Sequence, residues 1–182
     1  RALAALAGRQ HGVVSRAQLL ALGFSRDAIV GRVRRHRLLP WHAGVYAVGH
    51  RSADPAAGRW AAVVAGGEGT IVSHGTAAEA WGLRAARSPA HVTVLPGNGS
   101  RSRSRLVVHR TRLTDLDVTH RDGLPVTTVS RTLIDLGDVA SAQEVRRVFV
   151  KAEQQRLIDM DQIAAALERA GLRRPRLRGR VR

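Results

Sequence analysis

Two helix-start signals near the N-terminus constrain this chain more than any other feature. Ser15 precedes a short apolar run and has Gln18 three residues on, the pairing of a capping box. Gly23 closes that run as a C-terminal cap, and after Phe24 a second cap, Ser25, opens another helix. The pattern predicts helices over 16–22 and 26–35. In the second, Ile29 and Val33 stand at i and i+4, so one narrow aliphatic stripe faces inward. Upstream, Leu3, Leu6 and Ala7 predict a short helix over 1–8, and Val13-Val14 an extended apolar pair. Downstream, 38–39 and 44–48 read as short strands with 40–43 at the turn. Helix, helix, tight turn, helix and β-ribbon within fifty residues is the order of a winged helix-turn-helix.

The rest of the chain alternates strand and helix signals. Residues 50–58, which include Asp54-Pro55, read as a linker, and 59–65 as a helix. A short strand over 70–72 precedes Ser73, which caps a helix carrying Ala77, Ala78, Ala80 and Trp81 and closed by Gly82. Trp60 and Trp81 read as core residues. Strands follow over 91–95 and 106–110, with Asn98-Gly99 between them as hairpin chemistry, and over 118–120 and 125–128 around Asp122-Gly123. Helices are predicted over 129–136, 143–156 and from Asp159 or Asp161 to about 170. Arg131 stands one turn before Asp135 and reads as its ion-pair partner. The fold class is therefore α/β in the α+β sense. It comprises a winged helix-turn-helix over 1–52, then a mixed α/β domain over 53–172 with a small antiparallel sheet and C-terminal helices. A basic tail or linker occupies 173–182.

Charge points to a polyanionic partner. The formal net charge is +16 in 182 residues, with a pI near 11.9. Residues 1–52 hold nine arginines against one acid, Asp27, a balance of +8. Residues 53–140 hold ten arginines against eight acids, and 141–182 hold eleven Arg/Lys against five acids, giving +2 and +6. Lys151 is the only lysine, as expected of a GC-rich genome, but such bias exchanges Lys for Arg without creating net charge. The absence of cysteine excludes disulfides and thiolate metal sites and suits a reducing cytoplasm. No apolar run is long enough to span a membrane, and 1–7 does not read as a secretory signal.

These observations converge on double-stranded DNA. The second helix of a helix-turn-helix enters the major groove. With Ile29 and Val33 inward, Asp27, Gly31, Arg34 and Arg35 point outward. Arg34 and Arg35 suit guanine edges or phosphates. Gly31 is costly in a helix interior but permits close backbone approach. Ser15, Arg16, Ser25 and Arg26 sit at helix N-termini, where amides and the dipole favour phosphate. Arg37 and His42 flank the wing. The loop bearing Arg101, Arg103 and Arg105 offers a second phosphate contact, or else a solvated tip.

Catalytic readings find little support. The eight histidines show no metal-ligand spacing, so neither metal nor cofactor is expected. His74 reads as a contact at a helix start. His120-Arg121-Asp122 lacks the other motifs of a kinase and reads as a hairpin. Residues 66–69 lack the Gly-Lys-Ser/Thr end of a phosphate loop. No enzymatic activity is expected.

Several runs together resemble the AbiEi family of antitoxins, over about residues 8 to 172. They are His11-Gly12-Val13-Val14-Ser15-Arg16-Ala17-Gln18-Leu19 with Gly23-Phe24-Ser25, and Gly44-Val45-Tyr46-Ala47-Val48-Gly49. Ser73-His74 through Ala80-Trp81-Gly82-Leu83 follows, then Pro125-Val126-Thr127-Thr128 through Arg131-Thr132-Leu133-Ile134-Asp135-Leu136. The arginine-rich style is similar to actinobacterial members. The resemblance implies a winged helix-turn-helix followed by an antitoxin domain. It implies a protein that represses its own operon at promoter repeats. It also implies a type IV antitoxin, which counters a nucleotidyltransferase toxin without a stable complex. The family's DNA-contacting role maps to Ser25 through Arg37 and the wing.

Two other readings stay open. Many similar proteins continue into a nuclease-like domain of the very-short-patch-repair type, and 173–182 resembles the linker leading there. That catalytic site needs Asp/Glu-x-Lys, but Phe149 stands two before the only lysine, so the alternative is the DNA-targeting portion of such a nuclease. The last is a plain transcriptional regulator sensing a ligand in the middle domain.

Overall fold

The structure is a computed structural model and describes residues 1–171; the tail over 173–182 lies outside them. The N-terminal unit contains α1 (Ala2–Arg9), β1 (Val13–Ser15), α2 (Arg16–Ala21), α3 (Arg26–Arg34), β2 (Leu38–His42) and β3 (Val45–Val48). This is a winged helix-turn-helix. Its three strands form an antiparallel sheet in the order β1-β3-β2, with Val13 and Leu39 both opposite Ala47.

Local chemistry fixes these elements. Ser15 Oγ accepts from the Gln18 amide at 3.0 Å while Gln18 Oε1 accepts from the Ser15 amide at 2.8 Å, completing the capping box. At the other end of α2, the Phe24 amide reaches the Leu19 carbonyl and the Gly23 amide that of Leu20, with Gly23 at φ +85°. This is the paired closure of a Schellman motif. Ser25 Oγ then accepts from the Ala28 amide to start α3. Leu19, Ile29, Val14 and Leu38 are buried together under α2 and α3.

The second unit contains α4 (Pro55–Gly66), β4 (Ile71–Val72), α5 (His74–Ala80), β5 (Ala90–Val94) and β6 (Leu106–Arg110). A 3₁₀ turn (Asp115–Asp117), β7 (Val118–Arg121), β8 (Leu124–Thr127), α6 (Val129–Val139), α7 (Ala142–Gln154) and α8 (Met160–Arg169) complete it. Its sheet has the order β6-β5-β4-β8-β7 and is mixed. β4 pairs antiparallel with β5 and parallel with β8, β5 pairs parallel with β6, and β7 antiparallel with β8.

One apolar cluster joins the two units. Val13 and Val45 of the first sheet, Val92, Val94, Leu106 and Val108 of the second, and Ala57, Ala61, Ala62 and Ala65 of α4 are buried in common. Along β1, Val14 packs toward α2 and α3 while Val13 packs toward α4, so this strand is buried on both faces. The alanine stripe of α4 lets the helix lie close to both sheets, because methyl side chains add little thickness.

Several elements depart from the sequence expectations. α4 begins at Pro55, not at 59, because Asp54 Oδ1 accepts from the Ala56 amide and Pro55 fits the first helical turn. The wing turn is Ala43-Gly44 rather than 40–43: β2 tolerates Pro40 through a register shift between Pro40 and His42. β5 and β6 are not a hairpin but parallel neighbours. Asn98 instead ties their connecting loop to the end of α4, donating to the Gly66 and Glu68 carbonyls at 3.1 Å. α6 runs past Gly137 to Val139. Asp122-Gly123 does turn a two-residue hairpin, both residues at positive φ. Trp60 and Trp81 are half-buried against the core.

The second unit has two polar centres. Arg131 is buried and donates to Asp135 at 2.8 Å, as its i+4 spacing predicted. It also reaches Asp117 at 3.3 Å, whose other oxygen holds Arg169 at 2.9 Å and 3.0 Å. Burial raises the Asp135 carboxyl to about 6 despite Arg131, and its Oδ2 has no hydrogen-bond partner among the described residues. The other centre stacks three imidazoles. The His74 and His109 centroids lie 3.6 Å apart, and His91 Nδ1 is 2.9 Å from His109 Nε2. His74 is buried, takes φ +51° and holds Ser73 Oγ at 2.9 Å. Burial drives His74 down to about 2 and His91 to about 4, and lowers His109 as well. Among the described residues no group of His, Asp and Glu is placed to hold a metal.

Two outcomes follow from this packing. The described body should unfold in one cooperative transition, and Ala61→Leu, which overfills the shared cluster, should destabilise it by about 1–3 kcal/mol. Two well-separated transitions in calorimetry would contradict a shared core. Stability should also fall from pH 6.5 toward pH 4. There the unfolded chain protonates its histidines while the folded imidazoles resist. Asp135 and Glu79 oppose this, since burial raises both carboxyls and a raised value favours the folded state as pH drops, for Asp135 between about 6 and 3.8, but the four lowered imidazoles, His42 included, outnumber the two carboxyls. His74→Asn, a residue tolerant of positive φ, should flatten the decline in Tm; an unchanged slope would remove His74 from it.

Candidate nucleic-acid interface

The outer face of α3 is built by what holds its inner face. Ile29 is buried and Val33 half-buried against the sheet and α2. A turn of about 100° per residue then leaves Arg26, Val30 and Arg34 as one exposed stripe, flanked by Asp27. Val30 is 43% exposed in the middle of this stripe. Its aliphatic side chain alone would predict an inward place, but its position one turn from Arg26 and Arg34 is the sequence signal for the outer face.

Arg35 behaves differently from Arg34. Its guanidinium lies over Gly31, where an added Cβ would meet Nη2 at 3.1 Å. Gly31 therefore makes room for this chain's own arginine, not for an open backbone surface as its sequence position suggested. Arg32 stacks its guanidinium 4.5 Å from the Phe24 ring centroid, bracing the α2–α3 turn. Arg37 is exposed at the start of β2, where its carbonyl accepts from Gly49.

A second group gathers at the wing tip. The Gly44 carbonyl accepts from the Arg16 amide at 2.7 Å, and the Ala43 carbonyl accepts from Arg103 Nη1 at 3.1 Å. So Ser15, Arg16, the tip and the loop of Arg101, Arg103 and Arg105 come together, with all four arginines exposed. The Arg16 and Gln18 amides are already engaged within the chain, which reduces the amide donors α2 offers to phosphate. At α3, Ser25 engages only the Ala28 amide, so the first amides of that helix stay open.

The structure thus divides the expected residues into two clusters. Arg26, Arg34, Arg35 and Arg37 belong to α3 and its C-terminal end. Arg16 and the Arg101–Arg105 loop belong to the wing tip, at the opposite end of the sheet. Five residues of strand at about 3.3 Å each separate these ends by roughly 17 Å. His42 lies beside the wing-tip cluster but is half-buried at the seam between the units, where burial, then Arg103, Arg105 and Arg51, hold its imidazole below the ordinary value.

No helix among the described residues is long and apolar enough to cross a membrane. No family model matches the chain, and no curated protein matches it in sequence. Among solved structures it is similar to the crystal structure of the RV2827C protein from Mycobacterium tuberculosis. The identity is 17% and the TM-score 0.45, with 100% of this chain and 79% of that chain covered.

Proposed function

We propose that the chain is a DNA-binding transcriptional repressor and antitoxin, working in the cytoplasm without catalysis of its own. It binds double-stranded DNA at repeats in its own promoter. It also counters a nucleotidyltransferase toxin in the type IV manner, without a stable complex. The observation that carries the DNA-binding part is the exposed Arg26-Val30-Arg34 stripe on a helix pinned by Ile29 and Val33 beside a β-wing. The antitoxin part rests on the resemblance to the AbiEi family.

In this reading α3 lies in the major groove. Arg34 addresses a guanine edge, Val30 offers a methyl contact to thymine, and Arg26 meets phosphate at the helix N-terminus. The wing-tip cluster meets the flanking backbone. Its offset from the α3 end is of the same order as the width of the major groove, about 12 Å. The two clusters then do different work: base-edge contacts specify, and phosphate contacts position.

Arg34→Ala should cost about 1–3 kcal/mol on the preferred duplex and little on unrelated DNA, relaxing specificity. Arg103→Ala should weaken binding to both alike and reduce the slope of log affinity against log salt by about 0.9 for the lost phosphate. Both are checked by salt-controlled titration. Unchanged affinity in Arg34→Ala, or a flat salt profile for the parent chain, would overturn the DNA-binding reading. For the antitoxin part, co-expression with a neighbouring nucleotidyltransferase should relieve its growth arrest, and persisting arrest would remove that role.

A further inference from the structure

A cleft of about 310 Å³ opens at the seam between β2 and the second unit. Trp41 and His42 line it from β2, Arg59 from α4, Arg87 from the segment before β5 and Arg105 from the segment before β6. Four separate stretches of chain thus bring three guanidinium groups to one concave site. Folding normally keeps like charges apart unless something offsets them.

Among the described residues the offset is partial: Glu79 and Asp54 attract Arg59 without an ion pair, and Glu144 pairs with Arg87. Glu79, the only carboxylate among the lining residues, is turned to Arg84 at 2.9 Å and to the Arg87 amide at 2.9 Å. Arg87 shares Glu144 with Arg84 at 3.2 Å but remains exposed. Arg59 and Arg105 form no ion pair among the described residues. His42 is held below its ordinary value first by burial and then by the neighbouring Arg103, Arg105 and Arg51, of which Arg105 lines the cleft. Trp41 adds an apolar wall, packed over Gly58 at 3.9 Å from the position a Cβ would take.

We propose that this cleft binds a small anion bearing a di- or triphosphate group, held between Arg59, Arg87 and Arg105. Its volume is at the lower end of the range typical for small-molecule sites, about 300–1,000 Å³. A concavity of that size suits a compact polyphosphate. Planar guanidinium groups match phosphate oxygens in pairs. Because the walls come from the wing strand and from the second unit, a bound anion bridges the two beside the wing tip.

The test uses the whole chain without DNA, so it stands apart from the nucleic-acid reading. Inorganic triphosphate and a nucleoside triphosphate are titrated by calorimetry, with the His42 ring followed by NMR. Saturable binding of inorganic triphosphate is expected, with an upward shift of the His42 titration as the anion offsets its cationic neighbours. Tighter binding of the nucleoside form would place its ring on Trp41, and equal binding would assign recognition to the phosphates alone; both support the site. Arg105→Gln, on an exposed loop position, and Arg59→Gln should each weaken binding at least tenfold, whereas Arg146→Gln on α7 should not. Absence of saturable binding, or equal weakening by Arg146→Gln, would overturn the proposal and leave the DNA-binding reading standing.

Discussion

The close packing of α4 between two sheets is the constraint on which the rest depends. Ala57, Ala61, Ala62 and Ala65 are small enough for the helix to pack closely against valines of both sheets. The consequence is positional. β1 and β3 cannot move on α4 without opening the core shared with β5 and β6, and the wing tip is carried on those strands. A loop of the second unit can therefore donate a hydrogen bond to the tip carbonyl of Ala43 and keep it. The winged helix-turn-helix is one end of a larger body, and its sheet has no solvent face where α4 covers it.

That arrangement gives the arginines distinct tasks. Arg32 and Arg35 are spent on the local structure of α3, one against Phe24 and the other over Gly31. Arg131 and Arg169 are spent on the buried carboxylate of Asp117. Arg84 is spent on Glu79 and Glu144. Arg26 and Arg34 on α3 and Arg16, Arg101, Arg103 and Arg105 at the wing tip remain outward. Net charge alone points to a polyanion, but only this sorting says which cations are available to meet one.

The sequence spoke most clearly where interactions are local. The capping box of Ser15 and Gln18, the Gly23 closure, the Ser25 cap, the Asp122-Gly123 hairpin and the Arg131–Asp135 pair each lie within a few residues, and each is present. It spoke less clearly where partners come from afar. Asn98-Gly99 has hairpin chemistry, but Asn98 bonds the end of α4, and β5 and β6 run parallel. The third member of the Arg131 network, Asp117, is fourteen positions away, and the three stacked histidines come from α5, β5 and β6. Asp54-Pro55 suits a linker and a helix start equally, and packing of the following alanines decided for the helix. Val13-Val14 did carry a signal: two consecutive buried valines mark a strand covered on both faces.

In the proposed complex α3 presents Arg26, Val30 and Arg34 to the floor of a major groove. Methylation protection on the chain's own promoter reads this most directly, because guanine N7 lies on that floor. Such docking predicts protection of guanine N7 within one major-groove segment of each proposed repeat, lost at a discrete guanine in Arg34→Ala while the rest persists. Protection that is absent, or that is identical in the parent chain and Arg34→Ala, would contradict it.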